Sequence, residues 1–144
     1  LMTFSKDLYD LETYKKIPLA FDFSKTLYND ILSYLPNPSW YISPEKKAKY
    51  HALCVMSGNF PQILWQNIES EISQMGCPTE GWKNYILQST MNFLNHSDSL
   101  TGPLARNDFH TIQNNIKSLD KTKLQDLYKA FCSFKQIEVR NENQ

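Results

Sequence analysis

The sequence predicts a mainly α fold, a helical domain built on one long kinked helix and preceded by a short βαβ unit. Three observations carry this expectation. Apolar residues at Leu53, Met56, Phe60, Ile63, Leu64, Ile68, Ile72 and Met75 recur at helical spacing until Gly76 and Pro78 stop the run. Upstream, the stretches 17–23 and 39–43 read as short strands on either side of a helical pattern. Downstream, three further apolar stripes repeat with a helical period.

The first strand is Ile17-Pro18-Leu19-Ala20-Phe21-Asp22-Phe23 and the second is Ser39-Trp40-Tyr41-Ile42-Ser43, with Leu27, Ile31, Leu32 and Leu35 marking the helix between them. Strand, helix, strand predicts a parallel crossover. Two parallel strands make a poor sheet by themselves, because parallel pairs normally lie inside larger sheets covered on both faces. A neighbouring sheet is therefore expected outside this sequence. Ser43 suits an N-cap, Pro44 the first helical position, and Glu45 complements the positive end of the helix dipole. The helix that follows is expected to run about 48 Å at 1.5 Å per residue. Pro61 lies in its interior and deprives the Ser57 carbonyl of a donor, which predicts a kink there or two helices in series.

Thr79 can cap a helix carrying Trp82, Tyr85, Ile86, Phe93 and Leu94. Asp108 can cap one carrying Phe109, Ile112, Ile116 and Leu119, and Asp120 one carrying Leu124, Leu127, Tyr128, Phe131 and Phe134. Residues 136–144 read as a polar, frayed tail. No internal repeat is visible.

Composition narrows the function classes. A chain of 144 residues with 41% apolar content can bury one core, and its 15 basic and 15 acidic side chains cancel. With no basic face, nucleic acid is not an expected partner. No apolar run reaches the roughly 20 residues that span a bilayer, and no signal peptide is visible, so the expected location is cytoplasmic with no membrane contact. Cys54, Cys77 and Cys132 are odd in number and widely spaced, which predicts buried, reduced thiols rather than a disulfide framework. His51 and Cys54 lie three apart on one helical face, but two ligands without a second pair do not make a metal site, and none is expected.

The candidate chemistry lies in two places. Leu100-Thr101-Gly102-Pro103-Leu104-Ala105-Arg106-Asn107-Asp108 reads as a rigid loop tipped with opposite charges. Gly102 can adopt positive φ, Pro103 fixes its own φ, and Thr101, Arg106 and Asp108 project from that backbone. Arg106 offers a planar fork for a carboxylate or phosphate, which backbone amides at the start of the next helix can help to hold. Asp108 is more readily a helix cap or a partner of Arg106 than a base, and Thr101 either donates to a ligand or closes a turn. On the long helix, histidine is the residue type that exchanges protons near neutrality, so His51 can act as a general acid or can hydrogen-bond the neighbouring strand. Asn59 lies eight residues on, about 80° round the helix, where its amide can orient a hydroxyl or carbonyl or can serve packing near Pro61.

Lys47-Ala48-Lys49-Tyr50-His51-Ala52, Asn59 and the Leu100–Asp108 segment together resemble the C-terminal domain of a family of Rossmann-like NAD(P)-dependent oxidoreductases. That domain is itself of unknown function. Its wider relatives are 6-phosphogluconate dehydrogenase, ketopantoate reductase and pyrroline-5-carboxylate reductase. The resemblance implies that residues 1–43 finish a nucleotide-binding domain, with Leu1 to Ser5 following its strands. It implies that 44–144 form a helical domain, like the 6-phosphogluconate dehydrogenase C-terminal domain, for substrate binding and homodimerisation. NAD(P) is then held mainly by a domain absent from this chain, consistent with four glycines and no Gly-x-Gly-x-x-Gly. His51 and Asn59 become the catalytic candidates, and Thr101, Gly102, Pro103, Arg106 and Asp108 the binding residues for a small anionic substrate. Two departures stand out. Relatives often place a Lys four residues before the Asn, where this chain has Val55, and Asn107 stands where the family commonly has Gly. Asparagine is the next most tolerant residue at a left-handed position, so the turn is expected to survive. Two function classes result: the substrate half of a reductase, or a non-catalytic ligand-binding or assembly module that kept the fold.

Overall fold

The computed structural model describes residues 6–96 and 98–137. It is mainly helical with one two-stranded parallel sheet, in the order α1 (Leu11–Lys16), β1 (Leu19–Phe21), α2 (Lys25–Ile31), β2 (Ser39–Tyr41), α3 (Pro44–Gln74), α4 (Thr79–Asn95), α5 (Pro103–Arg106), α6 (Phe109–Ser118) and α7 (Lys123–Phe134). The chain divides into two compact units, Leu1–Ile68 and Glu69–Gln144.

In the first unit the expected crossover forms. β1 and β2 pair in parallel with Leu19 opposite Ser39, Ala20 opposite Trp40 and Phe21 opposite Tyr41. Side chains alternate along a strand, so this register sets two faces. On one, Phe21 stacks on Tyr28 of α2 with ring centroids 4.3 Å apart, and the Tyr28 hydroxyl hydrogen-bonds Ser39. On the other, Trp40 meets Tyr50 of α3 edge-on at 6.3 Å. Aromatic contacts thus tie α2 and α3 to opposite faces of the sheet. A helix not expected from the sequence, α1, has six residues that follow the Asp10 cap, an Oδ1 acceptor for the Thr13 amide at 2.9 Å. Asn37 fastens the chain entering β2 to the end of α1 by donating to the carbonyls of Tyr14 and Ile17 at 2.6 and 2.9 Å.

The long helix forms as a single element of 31 residues with Pro61 inside it, not as two helices in series. Proline removes one hydrogen bond, and the remaining turns hold the element together. One turn before it, the Ser57 hydroxyl donates to the Leu53 carbonyl at 2.8 Å, a side-chain bond that favours bending at this place. Pro44 occupies the first helical position as expected. The Ser43 hydroxyl makes no capping bond to the helix; it is buried beside the Glu45 carboxyl, which it holds below the usual carboxylate range.

The second unit is organised by α6 and α7. Ile112 and Cys132 are 1% and 0% exposed and pack with Ile116 and Ile137, while Leu104 and Tyr128 lie against them. Polar bonds fix the same pair: Asn115 donates to the Tyr128 hydroxyl at 3.1 Å and Gln125 to the Ile116 carbonyl at 3.0 Å. Lys83 of α4 pairs with Glu69 at 2.7 Å, which holds its ammonium above the usual lysine range through that contact. Two caps differ from expectation. Pro78 precedes α4, so Thr79 is helical; Thr122 precedes α7, leaving Asp120 in the connecting turn. Ile137, expected in a frayed tail, is buried against the core instead. Residues 138–144 of that tail, and Leu1 to Ser5, lie outside the described residues. The thiols differ too: Cys132 is buried, Cys54 half-buried and Cys77 exposed.

Candidate functional site

His51 and Asn59 sit on α3 within the first unit, and both are exposed. Eight helical residues separate them by about 12 Å along the axis and about 80° around it. The strand contact open to His51 is made instead by its neighbour Tyr50, against Trp40, which leaves the imidazole facing outward. Burial pushes the Tyr50 phenol up, and adjacent Cys54 adds to the shift. One turn before His51, Lys47 Nζ reaches Asp22 Oδ2 at 2.6 Å, tying the start of α3 to the segment that follows β1. That contact holds the Asp22 carboxyl below its usual range. Val55 is half-buried on the same helix, an apolar group where the wider relatives often place a cation.

The Thr101–Asp108 segment lies in the second unit. Gly102 has φ 84° and ψ −167°, a conformation that disfavours any side chain, and Pro103 then starts the single turn of α5. Reading the whole segment as loop missed this turn, since four residues are too few to show a period. Asn107 follows in the left-handed region at φ 54° and ψ 41°, so replacing the common glycine preserves the bend. Leu104 fastens α5 to the α6–α7 core, and the Asp108 amide donates to the Pro103 carbonyl at 3.0 Å. Thr101 and Arg106 are exposed at this rigid corner.

Asp108 is the cap of α6. Its Oδ1 accepts from the Thr111 amide at 3.1 Å and its Oδ2 from the Thr111 hydroxyl at 2.8 Å. These two bonds, the amide first, lower its pKa, and the charge of Arg106 adds to the effect. A carboxylate so engaged is a poor proton acceptor. It also takes the Thr111 amide, so that donor is not offered to an anion. What the corner presents are the exposed Arg106 and Thr101, whose guanidinium and hydroxyl are groups suited to an oxyanion.

A third feature has no counterpart in the sequence reading. A hollow of about 700 Å³ is lined by Phe21 at the end of β1, the Asp22–Ser24 segment that follows it, Tyr28 of α2, and Ser39, Trp40 and Tyr41 along β2. The signal was available in the aromatic pairs Phe21-x-Phe23 and Trp40-Tyr41 at the two strand ends, but aromatic residues there are ordinarily core. Among the described residues no group of three or more His, Cys, Asp or Glu side chains is placed to hold a metal ion. No described helix is long and apolar enough to cross a membrane.

Comparison with known proteins gives a family and a fold. The family model described as a domain of unknown function, DUF2520, matches residues 23–134. No curated protein matches the chain. A solved structure described as a "putative NADP oxidoreductase" from Bacteroides fragilis superposes with a TM-score of 0.79 at 20% identity, over 96% of this chain and 55% of that one. At that identity the likeness is one of fold, and this chain spans about half the length of the other.

Proposed function

This chain belongs to the DUF2520 family, and from that premise we propose that it is the substrate-binding and dimer-forming part of an NAD(P)-dependent oxidoreductase acting on a small anionic substrate. The supporting observation is the extent of the fold match, 96% of the chain against about half of a protein described as an NADP oxidoreductase. In this reading residues 1–43 complete a nucleotide-binding domain, 44–144 form the helical domain, and the cofactor is bound chiefly by a domain outside this chain. Such a protein is expected in the cytoplasm.

In this reading the cofactor supplies hydride transfer and the protein supplies orientation and a proton. His51 delivers a proton to the oxygen or nitrogen of the group being reduced, and its exposure on α3 leaves the imidazole accessible for that task. Asn59 orients the same group through its amide. Within the second unit Arg106 and Thr101 are the binding residues for an anionic group, with Gly102, Pro103 and Asp108 fixing the backbone that presents them. A second copy of the chain covers the apolar stripe of α3 formed by Leu53, Met56, Phe60 and Ile63, each 52–56% exposed. These four lie within about 80° of one another around the helix, a continuous apolar seam.

The test is made in the protein that joins this chain to its nucleotide-binding domain. His51→Ala and Arg106→Ala should each lower turnover, about 100-fold or more for the proton donor, while cofactor affinity stays nearly unchanged. Loss of dinucleotide affinity without loss of turnover overturns the assignment. Val55, standing where relatives often carry a cation, favours a second reading in which the fold binds a ligand without turnover. Intact anion binding with no dehydrogenase activity in any cofactor would select it.

A further inference from the structure

We propose that the Leu87, Met91 and Leu94 face of α4 is a docking surface for α4 of a second copy of this chain, the two helices lying antiparallel about a two-fold axis between residues 90 and 91. The inference rests on the dimer-forming part of the proposed function, which gives a second copy to the α3 stripe, and it adds a separate surface with its own register. At 100° per residue Trp82, Ile86 and Phe93 fall within about 40° of one another, and Leu94, Leu87 and Met91 continue the apolar arc to about 180°. A surface helix needs about 100° to face its core. The chain covers one end of that arc only: Trp82 and Ile86 are half-buried, whereas every residue from Leu87 to His96 is exposed, Leu87 and Leu94 at 63% and 69%.

Composition, area and symmetry select the occupant. Exposed helical turns normally carry charge, yet the run from Asn84 to His96 has no Asp, Glu, Lys or Arg. Depletion of charge is what separates the core of a protein interface from the surrounding surface. Without Lys or Arg the face offers nothing to nucleic acid or to anionic lipid; an apolar, uncharged helix fits it, and α4 is such a helix. The α3 stripe has the same character, since residues 50–68 are also free of charge. Tyr85, Leu87, Met91, Phe93 and Leu94, 45–70% exposed, together offer about 700 Å², close to the roughly 800 Å² that each partner gives to a standard interface. The face is also self-complementary. Leu87 and Leu94 stand seven residues and about 20° apart, so the two-fold that brings Leu87 of one copy to Leu94 of the other brings Leu94 to Leu87 as well. Met91 then meets its own counterpart: with axes about 8–10 Å apart and Cα atoms about 2.3 Å from each axis, the facing Cα atoms come within about 4–6 Å.

The test uses the full chain carrying Cys54→Ser and Cys77→Ser, which leaves only the buried Cys132 of the native thiols. Mild oxidation should link Met91→Cys chains into covalent dimers at least about tenfold faster than Asn92→Cys chains, because Asn92 lies about 150° round from the Leu87–Leu94 seam. In the unmodified background, Leu87→Glu and Leu94→Lys should each raise the dissociation constant for self-association about 100-fold, a factor of about ten at each of two symmetric contacts, read by sedimentation. Both positions are exposed in the single copy, so neither charge disturbs its fold. Mixing the two variants should restore a dimer containing one of each by native mass, because the antiparallel register sets the two new charges, opposite in sign, against each other. Equal linking of the two cysteine variants, a dimer indifferent to either charge, or a mixture that stays dissociated overturns the proposal. A dimer mass for the unaltered chain in those cases still upholds the dimer-forming reading of α3, whereas a single mass gives α4 to a different domain and removes both. None of these readouts depends on turnover, so they hold whether or not the redox reading fails.

Discussion

Replacing Ile112 by alanine tests how the proposed anion corner is held. Ile112 is 1% exposed and packs with Ile116, Cys132 and Ile137, and Leu104 of the Thr101–Asp108 segment rests on the same cluster. The substitution removes three buried carbons, about 2.4 kcal/mol at 0.8 kcal/mol each, and the space left between α6 and α7 adds to this. A total of about 3 kcal/mol is expected, within the usual range for such truncations. Amide hydrogen exchange along α6 and α7 reads the loss where it occurs, independently of the other unit. Opening should become about 150-fold more frequent, since about 1.4 kcal/mol is a factor of ten. Lys123→Ala, on the exposed first turn of α7, should change exchange by no more than about twofold. An acceleration under about tenfold for Ile112→Ala would mean that the cluster does not carry the stability assigned to it, and the corner would need another support.

Other expectations follow from particular residues. Asp108 has a depressed pKa in the folded chain, so its contribution is complete above its ordinary value of 3.8 and fades as pH falls through the lower folded value; Asp108→Asn should flatten acid melting of α6 in that window. Gly102→Ala should destabilise by about 1 kcal/mol through its backbone alone, because φ is 84° and no atom lies within 4 Å of the new carbon. Gly81→Ala, in the first turn of α4 with equally open space, should instead stabilise by about 0.5–1 kcal/mol, and thermal melts distinguish the two signs. If a second copy covers the α3 stripe, light scattering should give about twice the 16.8 kDa chain mass, and Phe60→Glu should restore the single mass. An unaltered mass for that variant would place any interface elsewhere.

The sequence was most informative where local rules suffice. The spacing of Leu53 to Met75, ended by Gly76 and Pro78, located α3 to within a residue, and Asp108 identified itself as a cap because its carboxylate precedes a stripe with a buried face. Asn107 was legible as a left-handed position for the same local reason. Caps at Thr79 and Asp120 were misplaced because a polar residue near a helix start is only a candidate until the chain direction is known; in both cases a neighbour took the position. The three thiols read alike in sequence, although only tertiary packing decides which is covered. The hollow was invisible for a related reason. Its wall is assembled by the register of two strands separated by 17 residues, and no local spacing encodes which aromatic faces converge.

The differing burial of the three cysteines turns the chain into its own conformational clock. A thiol-reactive label added to the native protein should find Cys77 at once, because it stands exposed in the turn between α3 and α4. Cys132, fully covered and with its thiol pushed up by that burial, becomes labelled only when α6 and α7 separate. Because Cys54 is half-buried and Cys132 fully covered, the last of the three labels to appear, assigned to Cys132 by peptide mass, would report the separation of α6 and α7 without any engineered handle.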